Sequence, residues 1–429
     1  MMRTVVVGLL TGIAAAAASN SSSPVTFNKD VLPLLQKNCQ VCHRAGEVAP
    51  MAFFSYEETR PWAKAIKEAV VTKKMPPWFA GPEFNGHFKN ERRLTEQEIN
   101  TFAEWAESGA LEGDKKDKPA PAEFAEGWLM GEPDIVVEMA EDVQIPATGL
   151  VDVKSVFVKV NFPKDLWVEA AEVRPGNRAA VHHMKAWVVH PTPPGAEGQT
   201  ADGAMDRRGG SREILVKYNP GVEPQFFTVG GAAKFVPAGS DIMFETHYTS
   251  NGKATTDRSA VGIRLAKAPP QKRFFTSGAL TNHSFLIPAR DPNWELKTEI
   301  TIEEPVEIVW IQPHMHYRGK DYEVRAIFPT GETKTLLKVP AFRFDWQQGY
   351  EFVKPEPLPV GTRLESIAHF DNSPNNAYNP DPNRDVPYGA ESWDEMSVAF
   401  FSVITDLDSK PTSLITRRGR RAAVQTPQD

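Results

Sequence analysis

Two histidines flank a methionine in the stretch Ile311-Gln-Pro-His-Met-His-Tyr-Arg-Gly-Lys320, just after a run of apolar and β-branched residues. In a strand, residues i and i+2 share a face, so His314 and His316 would project their imidazoles side by side while Met315 turns away. Two neighbouring imidazoles are a good start for a copper or zinc site. An isolated pair of this kind is more often bonded to solvent and backbone, so it gains meaning only from company. A second pair, His182-His183 in "VHHMKAWVV", behaves differently. Adjacent residues on a regular strand face opposite sides, and both can serve one metal only at a strand end or a bulge. The preceding "RPGNRAA" reads as a loop feeding the strand, which permits it. His247, in "FETHYTS", lies in another short strand, and Met396, in "ESWDEMSVAFFSV", opens one near the C-terminal end.

A third dense spot is Cys39-Gln-Val-Cys42-His43. It matches C-x-x-C-H, in which two thiols form thioethers to a heme c and the adjacent imidazole takes one axial iron position. A lone C-x-x-C could instead be a redox dithiol or half of a zinc site. The immediate histidine, with an export signal upstream, favours heme. The chain has only two cysteines, both in this motif, so no long-range disulfide can form. Iron then wants a sixth ligand, commonly methionine in electron carriers. Met75 in "KKMPPWFAG" is the first candidate, with Met51 and His87 as alternatives.

These residues need elements to position them. The start, "MMRTVVVGLLTGIAAAAASNSSSP", has a charged Arg3, an apolar stretch over 4–18 and small residues around 16–20. It reads as a signal peptide over 1–20, and the protein is expected to be exported to the periplasm, an uncleaved anchor being the competitor. A bilayer-spanning helix needs about 20 apolar residues. No later segment reaches that length, so no transmembrane segment is expected in the mature chain. Residues 25–112 have helical character: Ser55–Glu58 and Thr95–Glu98 are capping-box patterns, the latter followed by Ile99, Phe102 and Ala106 at helical spacing. Residues 113–127 are Pro/Ala-rich, charged and aperiodic, and read as a linker. From about 128 the texture changes to short β-branched runs separated by Pro, Gly and Asp, the pattern of sandwiches or jelly rolls. The expectation is an all-α cytochrome c-like domain over 25–112, then two all-β jelly-roll sandwich domains over 128–268 and 269–408, and a disordered basic tail over 409–429. A net charge of −7 gives no reason to expect nucleic acid as a partner.

Taken in order, the chain reads HH…HY…HxH…DEM. That ordered set resembles the copper type II, ascorbate-dependent monooxygenases, the family of peptidylglycine α-hydroxylating monooxygenase and dopamine β-monooxygenase. The likeness covers roughly 150–405 and rests on four short motifs in the right order. It implies two copper ions, one in each jelly roll. His182, His183 and His247 would bind the electron-supplying copper. His314, His316 and Met396 would bind the copper where oxygen is activated. "HYRGKDYEV" continues the match, and Asp394-Glu395 corresponds to the family's acidic pair. A soft thioether favours Cu(I), so the allotment suits the chemistry. A Met396 that merely packs a core is the competing reading.

Two departures stand out. The animal enzymes carry several disulfides and this chain can carry none. The family's reductant is ascorbate, yet here a heme motif precedes the copper motifs and could feed electrons to the His182/His183/His247 set. The expected activity is hydroxylation of a C–H bond in a small organic substrate, with O2 and an external electron donor, either an ascorbate-like reductant or a redox protein. The alternative is a non-enzymatic heme/copper electron-transfer or copper-binding protein. A blue-copper nitrite reductase would need a cysteine ligand that the heme motif has already taken. A zinc hydrolase would lack a general base beside either pair. His190 and His283 are read as structural, and His369 as structural or as a support behind a metal.

Overall fold

The computed structural model describes residues 24–124, 127–191, 212–221, 224–411 and 413–417. The expected signal peptide over 1–20 and most of the expected tail over 409–429 lie outside these residues. Among the described residues no helix is long and apolar enough to cross a membrane.

The largest sheet has nine strands and runs through both halves of the chain. Its path is Ile135–Glu138, Ala260–Leu265, Leu166–Arg174, Ala232–Val236, Lys272–Thr281, Val398–Asp406, Val306–His314 and Tyr350–Leu358. The halves join where Ala232–Val236 pairs with Lys272–Thr281 in parallel. A four-stranded sheet (Lys154–Val158, Asp241–Tyr248, Val181–Val189, Arg212–Tyr218) covers the first half. A five-stranded sheet (Thr333–Val339, Gly319–Ile327, Arg363–Phe370, Trp294–Ile302, Ile415–Arg417) covers the second. The last of these strands falls within the expected tail, which is therefore ordered at least through its pairing with Trp294–Ile302.

Alternation builds each core. On Val181–Val189, Met184, Ala186 and Val188 enter the first core, while Trp187 on the opposite face joins a separate apolar cluster with Ile214, Met243, Val398 and Phe400. That cluster contains residues of both halves, so the four-stranded sheet has two covered faces. This explains why its strands read as near-continuous apolar runs. A buried polar knot sits under the parallel junction. Lys234 Nζ donates to Thr276 Oγ1 at 2.8 Å and lies 3.4 Å from Glu213, and Thr276 and Ser402 share a hydrogen bond at 3.0 Å.

The expected all-α cytochrome c-like domain is not what folds. Of the described residues 38% are strand and 13% helical, and among them only the helices Ala63–Val71 and Glu96–Glu107 reach eight residues. Both capping boxes form, at Ser55/Glu58 and Thr95/Glu98. The short helices gather around Phe27, Leu32, Leu35, Phe102 and Trp105 as a small cap. The segment between the longer helices does not join them. Trp78, Phe79, Phe84 and Phe88 enter the core of the second sandwich, and Phe88 bridges Phe352 in antiparallel fashion. Its Pro and Gly residues deny it a helix, and its aromatics find their apolar surface in the neighbouring sheet instead. The β-sandwich part of the expectation stands; the independent helical domain does not.

Candidate functional site

The histidine doublet lies on Val181–Val189, which pairs with Asp241–Tyr248 so that His183 stands opposite His247. The register slips between Val181 and His183, placing a bulge at His182. The bulge lets consecutive side chains escape strict alternation. The His183 and His247 rings stack at 4.1 Å, and His182 Nδ1 lies 3.1 Å from His183 Nδ1. His314 ends the strand Val306–His314, and His316 follows it with its ring 5.1 Å away at 89°. The two sets meet across the interface between halves, the His183 and His314 rings being 6.1 Å apart.

All five imidazoles are driven toward the neutral form by burial. His247 falls to about 3 and His316 to about 4. His182 is lowered, and His183 and His314 lie well below the usual histidine range. Neutral imidazole is the form that ligates metals. His316 Nδ1 is held by the Asp394 carbonyl at 3.3 Å and His314 Nδ1 by the Gln347 side chain. Such contacts fix ring orientation and leave Nε2 as the ligating atom. The Nε2 atoms of His183 and His316 are buried and have no protein partner.

The donor chemistry fits copper, but the three-histidine set is not assembled as a metal site. Among the described residues no three His, Cys, Asp or Glu side chains converge as a metal site, which corrects the expectation that His182, His183 and His247 stand together as one. The physical reason lies in the stacking. Lone pairs lie in the ring plane, so the near-parallel His183 and His247 rings aim alongside each other rather than at one point.

Met396 comes to the same interface. Its side chain is half-buried and packs against the cluster of Trp187, Ile214, Met243, Val398 and Phe400. Its backbone N–H donates to Glu395 Oε2 at 3.3 Å, and the same oxygen accepts from His316 N–H at 2.8 Å. Glu395 Oε1 accepts from Arg318 N–H at 2.6 Å. One fully buried carboxylate thus ties the DEM segment to the HxH segment. Burial pushes its carboxyl up to about 8, against the pull of those N–H donors and Arg318.

Sequence reasoning missed several neighbours. Lys185, two residues past His183, donates to Glu245 at 2.6 Å. Burial works to raise the Glu245 carboxyl, but Lys185, with Arg212 and His247 beside it, outweighs burial and holds the group at about 2. Lys217 Nζ stands 3.3 Å from the centroid of the Phe400 ring and bonds Gln312. The loop between Thr333–Val339 and Tyr350–Leu358 roofs the cluster. Its Phe344 ring lies 5.1 Å from His182 and 6.3 Å from His316, and its Gln347 reaches His314. The sequence signal was there in "PAFRFDWQQG", an aromatic loop between two strands. His369 is bonded to Asp321 at 2.7 Å and lies 3.4 Å from Glu295, which gives it a structural role.

The C-x-x-C-H motif follows the helix Leu32–Asn38 as a tight turn, with Cys42 and His43 N–H both donating to Cys39 O. The thiols are half-buried and not bonded to each other. Burial pushes Cys39 up to about 12 and raises Cys42. His43 stacks on Phe53 at 4.4 Å, and its Nδ1 faces the Met51 carbonyl at 3.3 Å. Met51 thereby backs the imidazole. His87 is held elsewhere, its carbonyl accepting from Val353 N–H at 2.9 Å. Met75 caps the end of Ala63–Val71, with its N–H on Ala69 O at 3.0 Å, whereas His43 meets Phe53 and the Met51 carbonyl. The turn docks on the first sandwich beside the Arg212–Tyr218 strand. A Cβ on Gly221 would stand 2.9 Å from Cys42 Sγ, Arg92 bonds the Gly221 carbonyl, and Arg178 lies 3.4 Å from Glu47. Tyr218, at the end of that strand, pairs with Met184, the neighbour of His183.

No family model matches the chain, and no curated protein matches it. Among solved structures, the subviral particle of infectious bursal disease virus VP2 is 8% identical over 66% of this chain and 76% of that one, with a TM-score of 0.20. Allantoicase is 11% identical over 54% of this chain and 81% of its own, with a TM-score of 0.16. The CBM22 tandem domain of Paenibacillus barcinonensis Xyn10C is 12% identical over 64% and 91%, with a TM-score of 0.15. Likenesses this slight assign neither fold nor function.

Proposed function

We propose that the protein is an exported, periplasmic copper-dependent monooxygenase of the type II, ascorbate-dependent kind, hydroxylating a C–H bond of a small organic substrate. Electrons would enter through a heme c attached at Cys39 and Cys42 and ligated by His43, drawn from an ascorbate-like reductant or a redox protein. The carrying observation is the meeting of five histidines from both halves in one cluster, two of them with buried Nε2 atoms that no protein group satisfies. Such an atom costs roughly 1–3 kcal/mol when left unsatisfied. A bound cation would remove that cost.

His182, His183 and His247 would hold one copper once the His183 and His247 rings turn out of their stack; His314, His316 and the Met396 thioether would hold the other. Copper, when bound, supplies a one-electron couple suited to reducing O2. The reaction takes R–H, O2, two electrons and two protons to R–OH and water. The chain's own contribution is positional. Gln347 and the Asp394 carbonyl orient His314 and His316, and Glu395 fixes the backbone of His316 relative to Met396. Burial keeps the imidazoles unprotonated, while Phe344 and Phe400 exclude water from their flanks. The docking of the heme turn beside Tyr218 and Met184 supports a short route from His43 to His183.

The test is metal and heme content together with turnover. Protein matured with heme and copper should carry two coppers and one covalent heme, and consume O2 only when a substrate is hydroxylated. His316→Ala should lose one copper, and Cys39→Ala/Cys42→Ala should lose the covalent heme. Wild-type protein that takes up no copper under these conditions would end the proposal.

A further inference from the structure

A cavity of about 400 Å³ lies beside the roofing loop, lined by Tyr317, Arg343, Phe344, Asp371, Asn376 and Tyr378 among others. Phe344 belongs to both places. Its ring is 4.6 Å from Tyr317 at the cavity wall and 5.1 Å from His182 in the cluster. The adjacent Asp345 gives its backbone carbonyl to His182. The cavity and the cluster thus share one aromatic partition.

We propose that this cavity binds the substrate, and that the ligand is an uncharged small molecule with a flat apolar body and one hydrogen-bonding oxygen, such as an aryl ketone or aryl alcohol. Size comes first. Small-molecule pockets run from roughly 300 to 1,000 Å³, so this one suits a compact molecule rather than a peptide chain. Its walls come next. Tyr317, Phe342 and Phe344 offer ring faces and edges of the kind that favour a planar apolar body. Charge decides against ions. Lys320 and Arg343 are matched by Asp345 and Asp371, so the lining is formally balanced. An ion entering it would lose hydration without a net opposite charge to meet.

Arg343 supplies the polar anchor. Its Nη2 donates to Asp345 and to the Tyr378 hydroxyl, both at 3.0 Å. Its Nε is buried with no hydrogen-bond partner and is the guanidinium N–H left to donate to a ligand oxygen. The neighbouring carboxylate restrains the guanidinium, so little side-chain entropy is lost on binding.

This inference rests on the monooxygenase reading only in calling the ligand a substrate, and its test uses metal-free protein. Calorimetric titration would compare 4-methylacetophenone, which is uncharged, with benzoate and benzylamine. The neutral ketone should bind at least tenfold more tightly than either ion. Phe344→Ala and Arg343→Gln should each weaken it by about tenfold. Arg343 is partly exposed, and a thermal melt checks that both variants keep the fold. Equal binding of all three probes, no binding of the ketone, or unchanged affinity in both variants would overturn the proposal. None of these outcomes bears on copper uptake.

Discussion

The histidine cluster and the C-x-x-C-H turn are built in opposite ways. The cluster stands on strands whose registers are fixed by backbone ladders on both sides, and four of its five imidazoles are buried. The turn stands on a seven-residue helix and is held to the sandwich by a few side-chain contacts at half-exposed positions. The difference teaches where each property comes from. Ladders supply placement, because shifting one residue moves every side chain to the other face. A docked turn supplies access, which a covalently attached group of heme's size requires.

Breaking the ladder-built side should cost most. Glu395→Ala strands the N–H groups of His316 and Arg318 in a buried site, and should lower unfolding free energy by roughly 2–4 kcal/mol. Urea denaturation of metal-free protein measures it. A loss near zero would mean that water replaces the carboxylate.

The same residue sharpens the comparison through pH. Its folded value, raised to about 8 by burial, lies above the ordinary carboxylate range. Between the two values the folded state binds more protons than the unfolded state, so its contribution to stability falls as pH rises through that window. Wild type should therefore lose a few kcal/mol relative to Glu395→Gln between about pH 4.5 and about pH 8, with the difference constant below that range. Parallel melting curves would reveal the sign. The smallest effect belongs to the docked turn: Arg178→Gln removes a partly exposed ion pair and should change stability by about 0.5 kcal/mol or less. If the pair guides heme docking, that variant slows electron delivery while melting almost unchanged.

What the sequence disclosed follows the physics of each signal. Capping boxes at Ser55 and Thr95 are local hydrogen-bond patterns, and both formed where they were read. The alternating strands after residue 128 were equally local. The all-α domain failed because Trp78, Phe84 and Phe88 satisfy themselves against residues more than 250 positions away, as the Phe88–Phe352 bridge shows. Spacing placed His314 and His316 together, and the bulge at His182 is the irregularity the doublet needs. Ring orientation was not legible. Nothing in the order of residues says that His183 and His247 would stack rather than converge, because that depends on burial and on the facing half of the molecule. Lys217 and Phe344 escaped for the same reason, since each acts across an interface that sequence proximity does not encode, while Lys185 meets Glu245 only through strand pairing.

The parallel pairing of Ala232–Val236 with Lys272–Thr281 makes the long sheet a spar shared by both halves. A jaw-like opening would have to tear that spar or bend it over the buried Lys234–Glu213 knot. Any opening of the molecule is therefore left to surface segments such as the loop at 340–348. It also means that neither half is a portable unit: cut between residues 236 and 272, each would present a raw strand edge to the solvent.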